Sequence, residues 1–254
     1  MSNLILQVYP YRATNVQKLY DTHKAGRREF CEFILNQDED FPDFVIFSDE
    51  KNFTERVKGN RQNERYWDWF NPYITEENRV QGGRKLMCWA ALAEGRVILH
   101  WFAEGETENQ YNYLDMLKTK LWPVVRGRAT RRQLWYQQDG ARPHTTELVR
   151  EWLASKFGSR VISHKTDRPW PPHSPDLSPL DYWFWGACLA EIRRVKPATL
   201  ELLVETVEQF AASLSPADVK RAVRDIRKRA AACLQENGGH FEHILKKFKR
   251  KIEE

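Results

Sequence analysis

Residues 169–186 read PWPPHSPDLSPLDYWFWG. Pro169, Pro171, Pro172 and Pro175 crowd the start of the stretch, and Pro179 follows. Proline fixes φ and donates no backbone hydrogen bond, so the run predicts a stiff, extended lead-in. Ser178-Pro179 then has the form of a helix start: Ser178 as N-cap, Pro179 as first helical residue, Asp181 as the third. From there Tyr182, Trp185, Leu189 and Ile192 recur at helical spacing and give one apolar face. A rigid loop therefore delivers the carboxyl group of Asp181 to the first turn of a buried helix. Read alone, Asp181 closes a capping box with Ser178. Its wider meaning depends on acids upstream.

Working outward, residues 44–47 (FVIF) form a compact apolar run, a buried strand ending at Ser48-Asp49-Glu50. Residues 86–92 (LMCWAAL) and 97–102 (VILHWF) are strands turned at Glu94-Gly95, a hairpin. Leu114, Leu117, Leu121 and Val124 share one face of a helix over 111–125. Residues 133–138 (QLWYQQ) are a strand running into Asp139-Gly140. A helix over 144–157 turns Leu148, Val149, Trp152 and Leu153 inward, and 160–162 is a short strand. A short helix also covers 22–36. Beyond Pro197, Leu200, Leu203, Val207, Phe210 and Leu214 mark a periodic helix. Ser215-Pro216 restarts a second, Asn237-Gly238-Gly239 stops it, and Lys246, Lys247, Lys249, Arg250 and Lys251 fall on a final basic one. An antiparallel start followed by alternating strands and helices predicts an α/β sheet flanked by helices, with sites at strand ends. The chain divides into 1–36, a linker and N-terminal helix; 37–196, the sheet domain; and 197–254, a C-terminal helical extension with a basic tail.

The 254 residues suffice for one large domain, and ten Trp can fill its core. A net charge of +5 favours an anionic partner, nucleic acid before membrane. Cys31, Cys88, Cys188 and Cys233 are widely scattered, which argues against a zinc knuckle and fits a reducing compartment. No apolar run approaches the roughly 18 residues of a membrane span, and Met1 opens no signal peptide. The expectation is a soluble, intracellular protein with no membrane partner.

Asp49, Asp139 and Asp181 each fall just past an apolar element, where a strand end or helix start holds a side chain rigidly. Three carboxylates at one sheet edge repel each other unless cations sit between them. Hard divalent ions prefer oxygen ligands, and Mg²⁺ takes one or two carboxylates plus substrate phosphate oxygens. Two such ions can activate an attacking water or hydroxyl and stabilise the leaving oxygen of a phosphodiester. With 35 Asp and Glu in the chain, spacing alone selects no unique triple.

The wording around these acids narrows the choice. FSDEKNF at 47–53, GNRQNERYW at 59–67, QQDGARPH at 137–144 and WPPHSPDLSPLDYWFWG at 170–186 together resemble the catalytic domain of mariner-type transposases. RREFCEFIL at 27–35 and NGGHFEHIL at 237–245 extend the resemblance, in order, from about Tyr11 to His243. It implies an RNase H-like mixed sheet and a DDE/D triad of Asp49, Asp139 and Asp181 as catalytic metal ligands for two Mg²⁺ or Mn²⁺ ions. It also implies cut-and-paste chemistry: cleavage of transposon ends and their transfer into target DNA, at TA. The implied partners are double-stranded DNA and a second copy of the chain, and the implied compartment is the nucleus. In the SPDLxPxDY pattern the second acid, Asp181, matches the catalytic one. Asp176 is expected to stabilise the turn through its own backbone.

Two departures stand out. The interval from Asp139 to Asp181 is longer than in the best-known mariner branch, which points to a sub-branch, with the extra length around 163–170. The residues before Asp49 are too few, and of the wrong pattern, for the family's paired helix-turn-helix modules. The expectation is a catalytic domain without its sequence reader. The alternative is a domesticated or truncated DNA-binding module without cleavage activity, and three intact acids favour the enzyme. Arg56, Lys58, Arg61 and Arg65, interleaved with Tyr66 and Trp67, suit a DNA-gripping arm. His144 and His173 are further DNA-contact candidates. Glu50 points away from Asp49 if the strand continues, and is expected to face solvent.

Overall fold

Val45 and Phe47 enter one apolar core and Ile46 another, because successive strand residues face opposite sides of a sheet. The computed structural model of the chain describes residues 17–54, 84–128 and 133–245, and it builds five strands around this one. These are β1 (Val45–Thr54), β2 (Lys85–Ala93), β3 (Arg96–Trp101), β4 (Trp135–Gln137) and β5 (Val161–Ile162), in the order β3-β2-β1-β4-β5. The β1–β2 and β2–β3 pairs are antiparallel, β1–β4 and β4–β5 parallel. This is the expected RNase H-like mixed sheet. Glu94 and Gly95 both take positive φ, 50° and 78°, as a two-residue hairpin turn requires.

Helices α1 (Asp21–Leu35), α5 (Trp185–Val195), α6 (Leu200–Ser213) and α7 (Pro216–Gln235) cover the Val45–Phe47 face. Helices α2 (Gln110–Met116), α3 (Trp122–Val125) and α4 (Glu147–Phe157) cover the face of Ile46, Trp89 and Tyr136. With both faces buried, β2 needs no polar alternation, which is why LMCWAAL reads as one apolar run.

Several boundaries differ from the sequence reading. β1 does not stop at Asp49 but runs to Thr54, paired with β2 from Phe47↔Leu92 to Thr54↔Lys85. Phe53, 2% exposed, anchors its far end, so the polar SDEKN segment stays in the sheet. The helix expected over 111–125 is interrupted by a π-helical turn, Leu117–Leu121. The helix expected from His144 begins at Glu147, with Thr146 in the N-cap position. The proline-rich lead-in is not uniformly extended: His173 has φ 53° and Pro175–Leu177 is a 3₁₀ turn. Residues 163–170 loop back so that Ile162 bridges Arg168, and Trp170 packs on Phe30 of α1 at 4.9 Å.

Arg27 joins three distant segments. Fully buried on α1, it forks onto Asp176 through two 2.6 Å contacts. It also donates to the carbonyls of Gly238 (2.8 Å) and Gly239 (3.3 Å) and to Ser174 Oγ (3.0 Å). Burial alone would depress the guanidinium, but Asp176 outweighs it and raises the pKa. Asp176 thus serves the fold through Arg27, not through its own backbone as expected. Gly238, at φ +82°, lies so close to α1 that a Cβ there would sit 2.3 Å from the Lys24 carbonyl oxygen.

Candidate active site

The parallel ladder pairs Val45 with Trp135 and Phe47 with Gln137. Continuing that register two residues sets Asp49 level with Asp139, just beyond β4. Asp181 arrives from the loop side. Ser178 is extended (φ −89°, ψ 119°), its carbonyl accepts from the Tyr182 amide at 2.9 Å, and its Oγ receives the Asp181 amide at 3.4 Å. The helix start read at Ser178-Pro179 is therefore present. Its first residues, Leu180–Phe184, wind as a π-turn before α5, a feature frequent at functional sites.

One contact ties this helix to the sheet: Trp185 Nε1 donates to Asp49 Oδ2 at 2.7 Å. A buried indole needs a partner for its N–H. Tyr182 O–H donates to the Ala222 carbonyl at 2.6 Å and Arg229 stacks 3.9 Å over its ring, fixing the helix from α7.

Asp49 feels the charge of both other acids, and Asp181 that of Asp139. Burial, then the charge of Asp181, pushes Asp49 up to about 7 against a partial lowering by Trp185; Asp139 adds to the rise. Asp181 is exposed as a residue, yet desolvation on its protein side raises its pKa. Asp139 adds to that rise, while the Ser178 hydroxyl and Lys51 moderate it. Asp139 behaves oppositely. Burial would raise it, but hydrogen bonding to His144 outweighs burial and lowers it. Its Oδ1 takes both His144 Nδ1 (2.7 Å) and the Ala141 amide (2.9 Å).

Glu50 does point away from Asp49, but not to solvent. It is withdrawn from water beside His144, with Nε2 3.5 Å from its Oε1, and Glu108 Oε1 lies 3.2 Å from the same nitrogen. Burial drives the Glu50 pKa well up against the attraction of His144. Burial would lower His144, but Asp139 and Glu108 hold it up at about 10. Among the described residues, Glu50, Glu108 and His144 form the group with metal-ligand spacing.

His144 is 1% exposed and offers no surface to a phosphate. His173 is exposed, but its contacts are Gln17 (2.9 Å) and the His23 ring (4.6 Å) at the start of α1. Arg56, Lys58, Arg61 and Arg65 lie outside the described residues, as do Lys246, Lys247, Lys249, Arg250 and Lys251. Sequence reasoning missed Trp185 as the partner of Asp49, and Glu108 and Tyr113 around His144. The polar edge of a tryptophan four residues past a candidate ligand was the one available signal.

The fold and this edge of acids define a class: an RNase H-like sheet with carboxylates gathered where β1, β4 and the start of α5 meet. No protein-family model matches the chain. In sequence it is similar to the Transposable element Tc3 transposase of Caenorhabditis elegans, 28% identical over 165 residues, or 65% of this chain. The chain spans 46% of that protein, about half its length. In structure it is similar to a Mos1 transposase paired-end complex with the left transposon end (TM-score 0.78, 20% identity, 93% of this chain and 68% of that one). It is also similar to the Mos1 mariner paired-end complex with Mn (TM-score 0.76, 20% identity, 93% and 69%). The catalytic domain of Mos1 mariner transposase matches with TM-score 0.67 and 21% identity, over 90% of this chain and all of that one. The chain has the fold of a mariner-type transposase catalytic domain.

Proposed function

We propose that the chain is the catalytic domain of a DNA transposase, cutting transposon ends and joining them to target DNA by a cut-and-paste route at TA. What supports this reading is the register that sets Asp49 level with Asp139, the charge of Asp181 and Asp139 felt at Asp49, and Trp185 tying the helix of the third acid to the strand of the first.

The donor set suits hard cations. It is all oxygen, and a divalent ion would offset the burial and the neighbouring charge that together lift Asp49 and Asp181. Asp49, Asp139 and Asp181 would hold Mg²⁺ or Mn²⁺, two per site. Such ions supply activation of the attacking oxygen and stabilisation of the leaving one. The chain's own part is positional. Trp185 aims Asp49, His144 and the Ala141 amide fix one oxygen of Asp139, and Ser178 orients Asp181. In the first step water attacks the scissile phosphorus and the bond to the 3′ oxygen breaks, freeing a 3′ hydroxyl. In the second, that hydroxyl attacks a target phosphodiester, so one such bond forms as another breaks. The similarity to transposases, one of them, Mos1, solved in paired-end complexes, supports double-stranded DNA as substrate and two copies of the chain working together; the reading carries with it a nuclear location.

Joining of a labelled 3′-hydroxyl duplex to supercoiled plasmid, with Mg²⁺ or Mn²⁺, tests the reading. Asp49→Asn, Asp139→Asn and Asp181→Asn are each expected to abolish joining, while Asp176→Asn retains it. A dead Asp176→Asn beside an active Asp181→Asn overturns the triad. Wild type without metal-dependent joining, even from pre-cut ends, leaves a DNA-binding module.

A further inference from the structure

His144 begins no helix and reaches no surface, yet every polar atom of its side chain is engaged. Nδ1 meets Asp139 Oδ1 at 2.7 Å, and Nε2 meets Glu108 at 3.2 Å and Glu50 at 3.5 Å. Tyr113 stacks on the ring, centroids 4.2 Å apart at 28°. Gln138 Nε2 donates to the His144 carbonyl at 2.9 Å and to Ser163 Oγ at 3.0 Å, and the Tyr113 hydroxyl donates to Gln138 Oε1 at 2.8 Å. Tyr113 also shares a 2.8 Å hydrogen bond with Tyr136, which receives Ser48 Oγ at 3.0 Å. The chain of contacts therefore runs from the residue beside Asp49 to the residue beside Asp139, through the face of the sheet opposite Trp185.

We propose that His144 is a positioning residue for Asp139, aimed from behind by Glu108 and, at longer range, Glu50, so that one oxygen of Asp139 is fixed and the other is left to a cation. The inference rests on the catalytic reading above. Asp139 lies two residues past a three-residue strand, and among its backbone neighbours the Ala141 amide holds only its Oδ1, at 2.9 Å. A buried ring held on both nitrogens and one face adds a second hold on that oxygen. Outer partners of metal-binding side chains act in this way, and their loss typically weakens metal affinity or activity by about 10–100-fold. Glu50 and Glu108 gain a purpose in the same scheme. Acids that line this pocket hold the ring in one orientation and do not themselves join the triad.

Two isosteric changes separate positioning from mere support. His144→Asn places an amide nitrogen where Nδ1 sits and keeps the bond to Asp139. His144→Gln reaches toward Glu108 and loses it. The readouts are the midpoint Mn²⁺ concentration for strand joining, Mn²⁺ binding by calorimetry, and thermal melts of the full chain. His144→Asn is expected within about fivefold of wild type, and His144→Gln is expected to raise the midpoint by at least about tenfold at a similar melting temperature. A downfield imidazole proton in the NMR spectrum of wild type should move in Asp139→Asn. Equal midpoints for wild type and both variants overturn the proposal. So does an equal loss in both that tracks a fall in melting temperature, which marks a structural role only. Wild type that neither binds Mn²⁺ nor joins strands sinks the catalytic reading, and this inference with it. An active wild type beside an equally competent His144→Gln sinks the inference alone.

Discussion

Asp176→Ala would remove the carboxylate from a guanidinium with no access to water. Breaking a buried ion pair by deleting one partner costs about 3–5 kcal/mol, because the surviving charge stays buried. Arg27 would keep Gly238, Gly239 and Ser174 as acceptors. The loss should therefore fall at the lower end, about 3 kcal/mol. For a chain of this size each kcal/mol moves the melt by about 2–4 °C, so the melting temperature should fall by about 6–12 °C. Burial also shields the pair from salt, so the difference should persist at high ionic strength. Thermal melting followed by circular dichroism, on wild type, Asp176→Ala, Arg27→Met and the double variant, measures it as a cycle. The double variant should cost less than the sum of the two, by about 2 kcal/mol, since neither charge is then stranded. Asp176→Ala should still join strands at temperatures well below its melt. A melt within about 1 °C of wild type, or a folded variant that has lost metal-dependent joining, would refute the assignment of Asp176 to the fold.

Three other outcomes are expected. Asp49, raised to about 7 without metal, is easier to ionise unfolded than folded. Its stabilising contribution is full at pH values below the ordinary carboxylate range and disappears as pH rises through about 7. Asp49→Asn, which keeps an acceptor for Trp185, should thus stabilise the protein in chelator at pH above this range. The gain is on the order of 1–2 kcal/mol once water at the open side is allowed for. Melts across pH test this, and a wild type whose melt does not decline relative to the variant toward alkaline pH contradicts it. Trp185→Phe removes the N–H that lowers Asp49, so the activity profile should shift to higher pH and the Mn²⁺ requirement should rise by about tenfold; an unchanged pH profile would show that Trp185 only packs. Gly238→Ala forces a Cβ against the Lys24 carbonyl at positive φ, and should cost at least about 2 kcal/mol in denaturant unfolding, with no metal dependence.

The sheet and its helices were legible because periodicity reports burial. FVIF, LMCWAAL and VILHWF name their strands, and Ser178-Pro179 and Ser215-Pro216 name their helix starts by cap chemistry. The polar half of β1 was not legible. SDEKN carries no strand signal, and its pairing with β2 is imposed by Phe53 and by a partner about forty residues away. The same non-local cause hid the surroundings of the acids. Glu50 alternates as strand geometry demands, but whether it meets water or His144 depends on α2, which brings Tyr113 and the preceding Glu108. No local spacing encodes that approach. Trp185 was read as one more core aromatic because helical periodicity gives its side and not the direction of its N–H.

Arg27 explains why three of the recognisable segments travel together. RREFCEFIL begins with the arginine, SPDL carries its carboxylate and NGGH its carbonyl acceptors, so the three are parts of one buried contact set. They report that the proline-rich loop is seated on α1 and α7. They do not report chemistry. The reactive reading depends on Asp49, Asp139 and Asp181; burial and neighbouring charge make Asp49 and Asp181 work against the fold, while the Arg27 set supports it. A protein can therefore keep every contact of Arg27, lose Asp49 or Asp181, fold more stably and bind DNA without cutting it. In that direction Asp181→Asn and Asp176→Asn should part company completely, one losing activity without losing stability and the other the reverse. Two carboxylates five residues apart in one loop would then be serving opposite ends of the same trade between stability and catalysis.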